Sequence, residues 1–239
     1  MTDIVARVGG LTYWQAGVSC CDETWEAAYE RFETREQQIG KFLDRCRRLG
    51  IDRLPRTSQV VELFCGHGNG LEALARLGFE HLEGVDLSAN LLARYRGPAR
   101  VYVGDCRQLK FDDQSKDLVI VQGGLHHLPS LPDDLEQVLS AIHRVLKPRG
   151  SIALVEPWMT PFLQFVHTVC RQRAARRIWP KLDALATMIE REQVTYDAWL
   201  GQPAIIQRLL DKYFKAEMCR ISFGKILFVG HPRANTAAA

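Results

Sequence analysis

The segment Val60-Val61-Glu62-Leu63-Phe64-Cys65-Gly66-His67-Gly68-Asn69-Gly70 constrains the fold more than any other part of the chain. A short apolar run carrying Glu62 leads into glycines at alternate positions. The pattern predicts a buried strand entering a turn too tight for side chains, where backbone N–H groups can meet a ligand at a helix N-terminus. The spacing is G-x-G-x-G rather than the G-x-G-x-x-G of dinucleotide sites, which counts against NAD.

The residues that follow repeat the strand-then-turn theme. Leu71, Leu74, Ala75 and Leu77 predict a short amphipathic helix stopped by Gly78. His81 to Asp86 predicts a second strand ending in a carboxylate, a type of residue that can hold both ribose hydroxyls. Val101-Tyr102-Val103 before Gly104-Asp105-Cys106 predicts a third strand, and Asp117 to Gln122 before Gly123-Gly124-Leu125-His126-His127 a fourth. Four strand ends thus carry glycine or polar residues at one edge of a parallel sheet, the edge at which open α/β sheets bind ligands.

The series resembles the class I S-adenosylmethionine-dependent methyltransferases, among the small-molecule enzymes that include the quinone-biosynthesis C-methyltransferases. Glu62 with Gly66, Gly68 and Gly70 resembles the first motif, Asp86 the acidic end of the second strand, Gly104-Asp105 the adenine-side motif and Leu125-His126-His127-Leu128 the segment after the fourth strand. Arg144 to Gly150 resembles the turn into the fifth strand, with Arg149 where glycine is usual. The resemblance spans residues 58–156.

It implies S-adenosylmethionine as cofactor, with S-adenosylhomocysteine as product. Glu62 and Gln122 would order the methionine ammonium, Asp86 the ribose, Asp105 and Cys106 the adenine, and Leu87 its ring face. Gly66, Gly68 and Gly70 would admit the cofactor, with Phe64 and His67 beside it. His126 and His127 are the candidate bases, with Glu156 a further candidate; each has a plain structural reading beside the catalytic one. Tyr29, Phe32, Trp158, Tyr196 and Trp199 are candidate substrate-pocket residues, and Trp14 and Trp25 join them as aromatics able to line the pocket or pack in the core.

The expected architecture is α/β: a Rossmann-like, seven-stranded, mostly parallel sheet with helices on both faces and the last strand antiparallel. Residues 1–57 are expected as an N-terminal helical cover, with Thr34 and Gln37 as a capping box between two helices. Residues 58–156 are the cofactor-binding core. Residues 157–213 are a helical lid inserted after the fifth strand, and 214–239 the closing hairpin and tail.

A formal net charge of +3 with 25% charged residues gives no global nucleic-acid footprint. Seven cysteines, including the adjacent Cys20-Cys21, show no zinc spacing; with no signal-peptide pattern they lead to the expectation of a reducing cytoplasm. No apolar run is long enough to span a membrane. No metal is expected, since Asp112, Asp113 and Asp117 read as a solvated loop and a strand start. The Ala237-Ala238-Ala239 tail reads as frayed.

The lid carries an apolar run from Trp158 to Val166 and then Arg171, Arg173, Arg176, Arg177 and Lys181. A solvated basic face, an acidic or phosphate-bearing substrate, and docking on an anionic membrane with a lipid-like substrate are its three readings. The functional expectation is in-line methyl transfer to a small-molecule acceptor at carbon, nitrogen or oxygen, by a monomer or homodimer. The alternatives are a non-catalytic cofactor-binding partner subunit, transfer of another group from the same donor, and an RNA- or lipid-directed methyltransferase. The Tyr-Asp-x-Met-Asn signature of the quinone enzymes is missing.

Overall fold

Glycine turns and apolar runs alternate through the chain, and the elements follow that rhythm. The computed structural model describes residues 6–8, 10–15 and 22–234; Cys20-Cys21 and the Ala237-Ala238-Ala239 tail lie outside them. First come β1 (Ala6–Val8), β2 (Leu11–Tyr13), α1 (Glu23–Phe32) and α2 (Arg35–Arg48). The core holds β3 (Gln59–Leu63), α3 (Asn69–Arg76), β4 (His81–Asp86), α4 (Ala89–Leu92), β5 (Arg100–Val103), β6 (Lys116–Gln122), α5 (Asp133–Val145) and β7 (Leu146–Pro157). Then follow α6 (Pro161–Cys170), α7 (Arg173–Ile178), α8 (Pro180–Arg191), α9 (Gln193–Leu200), α10 (Pro203–Tyr213), β8 (Phe214–Ser222) and β9 (Lys225–Pro232).

The strand order is β1-β2-β5-β4-β3-β6-β7-β9-β8. The expected seven strands are present as β5-β4-β3-β6-β7-β9-β8, and β9, the last, runs antiparallel to both neighbours. Two strands were not expected. β1 and β2 form an antiparallel pair, and β2 adds to β5 in parallel, Thr12 opposite Tyr102. The N-terminal part is therefore not purely a helical cover. Three-residue strands are too short to show a period, but they cover the outer edge of β5. Trp14 follows β2 and stacks on Tyr102 at 4.8 Å, so it packs in the core and away from the pocket.

Alternate residues of the central strands feed two cores. Val61, Leu63, Val119, Val121, Ile152 and Leu154 pack against Leu135, Val138 and Leu139 of α5 and Ile206 and Leu210 of α10. Val60, Leu118, Ile120, Ala153 and Val155 pack on the other face against Cys46 of α2 and Leu74 of α3. Each fully buried Val, Leu or Ile contributes about 1.5–3 kcal/mol, so the sheet is held rigidly from both sides.

The helical cover and the lid meet over the C-terminal edge of the sheet. The capping box forms: Thr34 Oγ1 accepts from Gln37 N–H at 3.3 Å and Gln37 Oε1 from Thr34 N–H at 3.1 Å. Asp22 caps α1 by accepting from Thr24 N–H at 2.8 Å, and it also accepts from Arg191 Nε at 2.7 Å, which ties α1 to the end of α8. Arg31 and Asp183, 3.5 Å apart, repeat that tie one end further along.

Candidate active site

β3 lies between β4 and β6, so the strand order reverses on either side of it and a crevice opens at the C-terminal ends. The turn after β3 holds Phe64, Gly66 and Gly68 at φ of 56°, 51° and 74°. For Phe64 this is a rare conformation that the surrounding packing must enforce. Gly66 N–H donates to Asp86 Oδ2 and Ser88 N–H to Asp86 Oδ1, both at 2.8 Å. Asp86 thereby locks the two turns that face each other across β3 and β4.

Two of the glycines serve the chain's own packing. A β-carbon at Gly68 would stand 2.3 Å from the Tyr95 ring, and one at Gly70 1.9 Å from Glu62 Oε1. Neither residue borders the cavity, whereas their neighbours His67 and Asn69 do. Gly66 does line it.

The crevice opens into a cavity of about 970 Å³ between sheet edge, helical cover and lid. Glu62, Phe64, Gly66, His67, Asp86, Leu87, Asp105, Cys106 and Gln122 all border it. Glu62 Oε2 and both amide atoms of Gln122 are buried without a hydrogen-bond partner. Burial pushes the Glu62 carboxyl up to about 8, against the Gln122 side chain and the Leu71 N–H beside it and with the Asp86 charge adding to the rise. Burial likewise raises the Asp86 carboxyl, against its two backbone hydrogen bonds. Asp105 is held differently. Its Oδ1 accepts from Arg107 Nε at 3.0 Å and its Oδ2 from Arg107 Nη2 at 2.6 Å, so an adenine amine would share a carboxylate already tied to an arginine. The Cys65 and Cys106 thiols are pushed up by burial, Cys65 well above its ordinary value, and act as small apolar groups. His67 is lowered by burial and by Arg94, whose Nη1 is 3.3 Å from its Nε2.

At the lid side, Glu156 Oε2 lies 2.8 Å from His126 Nδ1, while Glu156 Oε1 accepts from Gly124 N–H at 2.8 Å and Leu125 N–H at 2.9 Å. Glu192, from the lid, sits 3.6 Å from both His126 Nε2 and His127 Nδ1. Burial opposes a charge on His126, but Glu156 and Glu192 outweigh it and raise the imidazole to about 9. The two carboxylates thus favour the protonated form of His126. Glu156, 1% exposed, is its counter-ion: burial works against the carboxylate, yet His126 and the two amides hold it below the usual range. Burial and the His126 charge lower His127 to about 4, so His127 is neutral. Among the described residues, His126, His127 and Glu192 are also a group whose ligand-type atoms lie within 4.8 Å of one another. With two carboxylates facing one imidazolium, the group stands as an ion-pair network. Asp117, by contrast, is spent on Lys147 Nζ at 2.8 Å and Gln59 N–H at 2.8 Å.

Of the expected pocket aromatics, Tyr29, Phe32 and Tyr196 line the cavity. Trp25 does too, stacked on Tyr29 at 5.0 Å. Trp158 and Trp199 do not. Both are buried in the core, and Trp199 Nε1 donates to Pro157 O at 2.8 Å, a satisfied indole that braces the strand end. Sequence reasoning missed Arg45, Lys225 and Glu192, all on the cavity wall. Arg45 and Lys225 make no ion pair with any described residue; burial lowers Lys225 to about 7, with Arg45 and Lys41 adding repulsion. The missed signal was a charge on an apolar helical stripe: Arg45 beside Phe42, Cys46 and Leu49, and Glu192 beside Leu185, Met188 and Ile189.

Comparison with known proteins bears on this geometry. Residues 61–154 match a family described as a methyltransferase domain. An uncharacterized methyltransferase of Synechocystis sp. is 37% identical over 101 residues, 41% of this chain and 46% of that protein. Residues 61–154 thus carry the likeness to methyltransferase domains, and the chain shares its fold with solved S-adenosylmethionine-dependent methyltransferases.

Within these methyltransferases, a demethylmenaquinone methyltransferase of Chlamydia caviae is 39% identical over 77 residues, 30% of this chain and 32% of that one. A trans-aconitate 2-methyltransferase of Variovorax paradoxus is 30% identical over 171 residues, 68% of this chain and 62% of that one. The chain thus spans less than two thirds of the length of each of these relatives. The PH0226 protein of Pyrococcus horikoshii shares the fold at a TM-score of 0.65 and 19% identity, over 89% of this chain and all of that one. The residues present fit the methyltransferase donor: the unpartnered Glu62 and Gln122 groups and the turn at Gly66 match a ligand with a cationic amine and a ribose.

Proposed function

We propose that the chain transfers a methyl group from S-adenosylmethionine to a small amphiphilic acceptor. What carries the reading is the buried Glu62 carboxyl beside the Gln122 amide, which interact with each other but leave Glu62 Oε2 and the amide atoms without a well-formed hydrogen bond, on the wall of the same cavity as Asp86. Buried polar groups seldom stay unpaired, and an α-ammonium would satisfy both. The bound donor supplies a methyl already activated on a sulfonium.

The chain's residues then have to bind, orient and exclude water. Asp86 keeps lone pairs toward the ribose while fixing the Gly66 and Ser88 turns. The acceptor's apolar body lies among Leu163, Val166, Leu185, Met188 and Ile189, and its polar end meets His127, Glu192 and Lys225. Alignment supplies most of the rate help for such a transfer. His127 is the neutral imidazole available to an acceptor proton; His126 and Glu156 position it and set the local charge. The five described cysteines are free, which supports action in a reducing compartment such as the cytoplasm. No helix among the described residues is long and apolar enough to cross a membrane.

The test is incubation with methyl-labelled S-adenosylmethionine and a panel of hydroxylated, carboxylated and aminated amphiphiles. Label moving to one acceptor in proportion to enzyme supports the reading. Donor binding with no transfer to any of them would favour the partner-subunit alternative.

A further inference from the structure

Five of the eight large apolar side chains that stay exposed among the described residues lie on α6, at the end of α7 and at the tip between β8 and β9. Phe162 and Phe165 on α6, Ile178 and Trp179 at the end of α7, and Phe223 at the tip between β8 and β9 are 49%, 65%, 84%, 59% and 78% exposed. The tip rests on α6: Trp158 N–H donates to Gly224 O at 2.9 Å, and the Phe162 and Phe223 rings meet edge-on at 5.8 Å. Phe162 and Phe223 also line the cavity, so its mouth opens between exposed aromatics.

The charges nearby are mostly positive, and most of the basic ones are unpaired. Arg171, Arg173, Arg177 and Lys181 are exposed and make no ion pair with any described residue. Arg176 alone in this run is paired, with Asp183 at 2.9 Å and with Glu190. Arg173 and Arg177 stand four residues apart on α7, one face of a single turn, next to Ile178 and Trp179.

We propose that α6, α7 and the β8–β9 tip dock on a bilayer carrying anionic lipids, and that the acceptor enters the cavity from that bilayer. This deepens the methyltransferase reading by assigning the acceptor to amphiphiles dissolved in a membrane. Exposed Trp and Phe beside unpaired Arg and Lys on short helices suit the interface between acyl chains and anionic headgroups. A second copy of the chain does not suit the patch. A two-fold contact would set the same unpaired arginines against each other without a counter-charge. An anionic bilayer supplies both the apolar layer and the negative charge.

The test is co-sedimentation of the whole chain with phosphatidylcholine vesicles, with and without phosphatidylglycerol, at low and high salt. Thermal stabilisation by S-adenosylhomocysteine is measured in parallel. The expected result is binding at least about tenfold tighter to the anionic vesicles and lost at high salt. Phe165→Ser with Trp179→Ser, and separately Arg173→Glu with Arg177→Glu, should each abolish it. Both pairs lie outside the cavity wall, so the stabilisation by S-adenosylhomocysteine should persist and show that the variants fold. Failure to bind the anionic vesicles, or equal salt-insensitive binding to neutral ones, overturns the docking. Self-association of the free chain that the same variants abolish would overturn it in favour of a second copy. Vesicle binding without stabilisation by S-adenosylhomocysteine would instead overturn the methyltransferase reading and leave the docking intact.

Discussion

A β-carbon on Gly70 would stand 1.9 Å from Oε1 of Glu62. The glycine is thus required by a carboxylate of the same chain, which in turn faces the cavity. Gly70 lies in the first turn of α3, where alanine would ordinarily gain about 1 kcal/mol of helix propensity. Gly70→Ala should instead destabilise the fold by about 1–3 kcal/mol through the overlap. Glu62→Ala in the same chain should restore stability without restoring donor binding, a pairing that chemical denaturation and calorimetric titration separate.

Glu62 also sets a pH dependence. Its carboxyl is raised to about 8 in the folded chain, so the folded state holds a proton that the unfolded state gives up near 4.5. That contribution to stability is full below 4.5 and is lost as pH rises through 8. An α-ammonium favours the ionised form, so donor binding at pH 7 should release close to one proton. Affinity should rise roughly tenfold per unit between about pH 6 and 8. Titration in buffers of different ionisation enthalpy reads the proton directly. Glu62→Gln should flatten the profile.

Asp86→Asn tests the lock between the two turns. The amide nitrogen of asparagine must face one of the N–H groups of Gly66 and Ser88, leaving a buried donor unsatisfied at a cost of about 1–3 kcal/mol. The variant should lose both thermal stability and S-adenosylhomocysteine affinity. Loss of affinity alone would mean that Asp86 serves only the ligand.

His126, His127 and Glu156 should separate by role. Glu156→Gln removes the counter-ion of a buried imidazolium and should cost about 3–5 kcal/mol in urea unfolding. His127→Ala, which removes no resolved ion pair shorter than 3.6 Å, should keep the fold and donor affinity and lower turnover with an acceptor found by screening.

Much of this was legible in the chain. Leu118 to Val121 is apolar without interruption, and Val60 to Leu63 is apolar but for the buried Glu62, because both sheet faces are covered, and that places them in the centre. The turn residues Gly66, Asp86 and Gln122 follow from where such strands end. The pocket's other half was less legible. Trp158 and Trp199 look like ligand aromatics by type but are drawn into the core, and nothing in their spacing distinguishes the two fates. Arg45 reaches the cavity from α2 and Glu192 from the junction of α8 and α9, which depends on how the helices cross. The β1–β2 pair had a turn signal in Gly9-Gly10 between Ala6-Arg7-Val8 and Leu11-Thr12-Tyr13, but strands of three residues give no period to confirm it.

The central claim is that the cavity at the β3 turn holds S-adenosylmethionine. Thermal unfolding with S-adenosylhomocysteine, S-adenosylmethionine and NAD in parallel tests it most directly, because a ligand that binds only the folded state must raise the midpoint as its concentration passes its dissociation constant. The account predicts a concentration-dependent rise with both adenosyl compounds and none with NAD. A rise with NAD, or with none of the three, would contradict it.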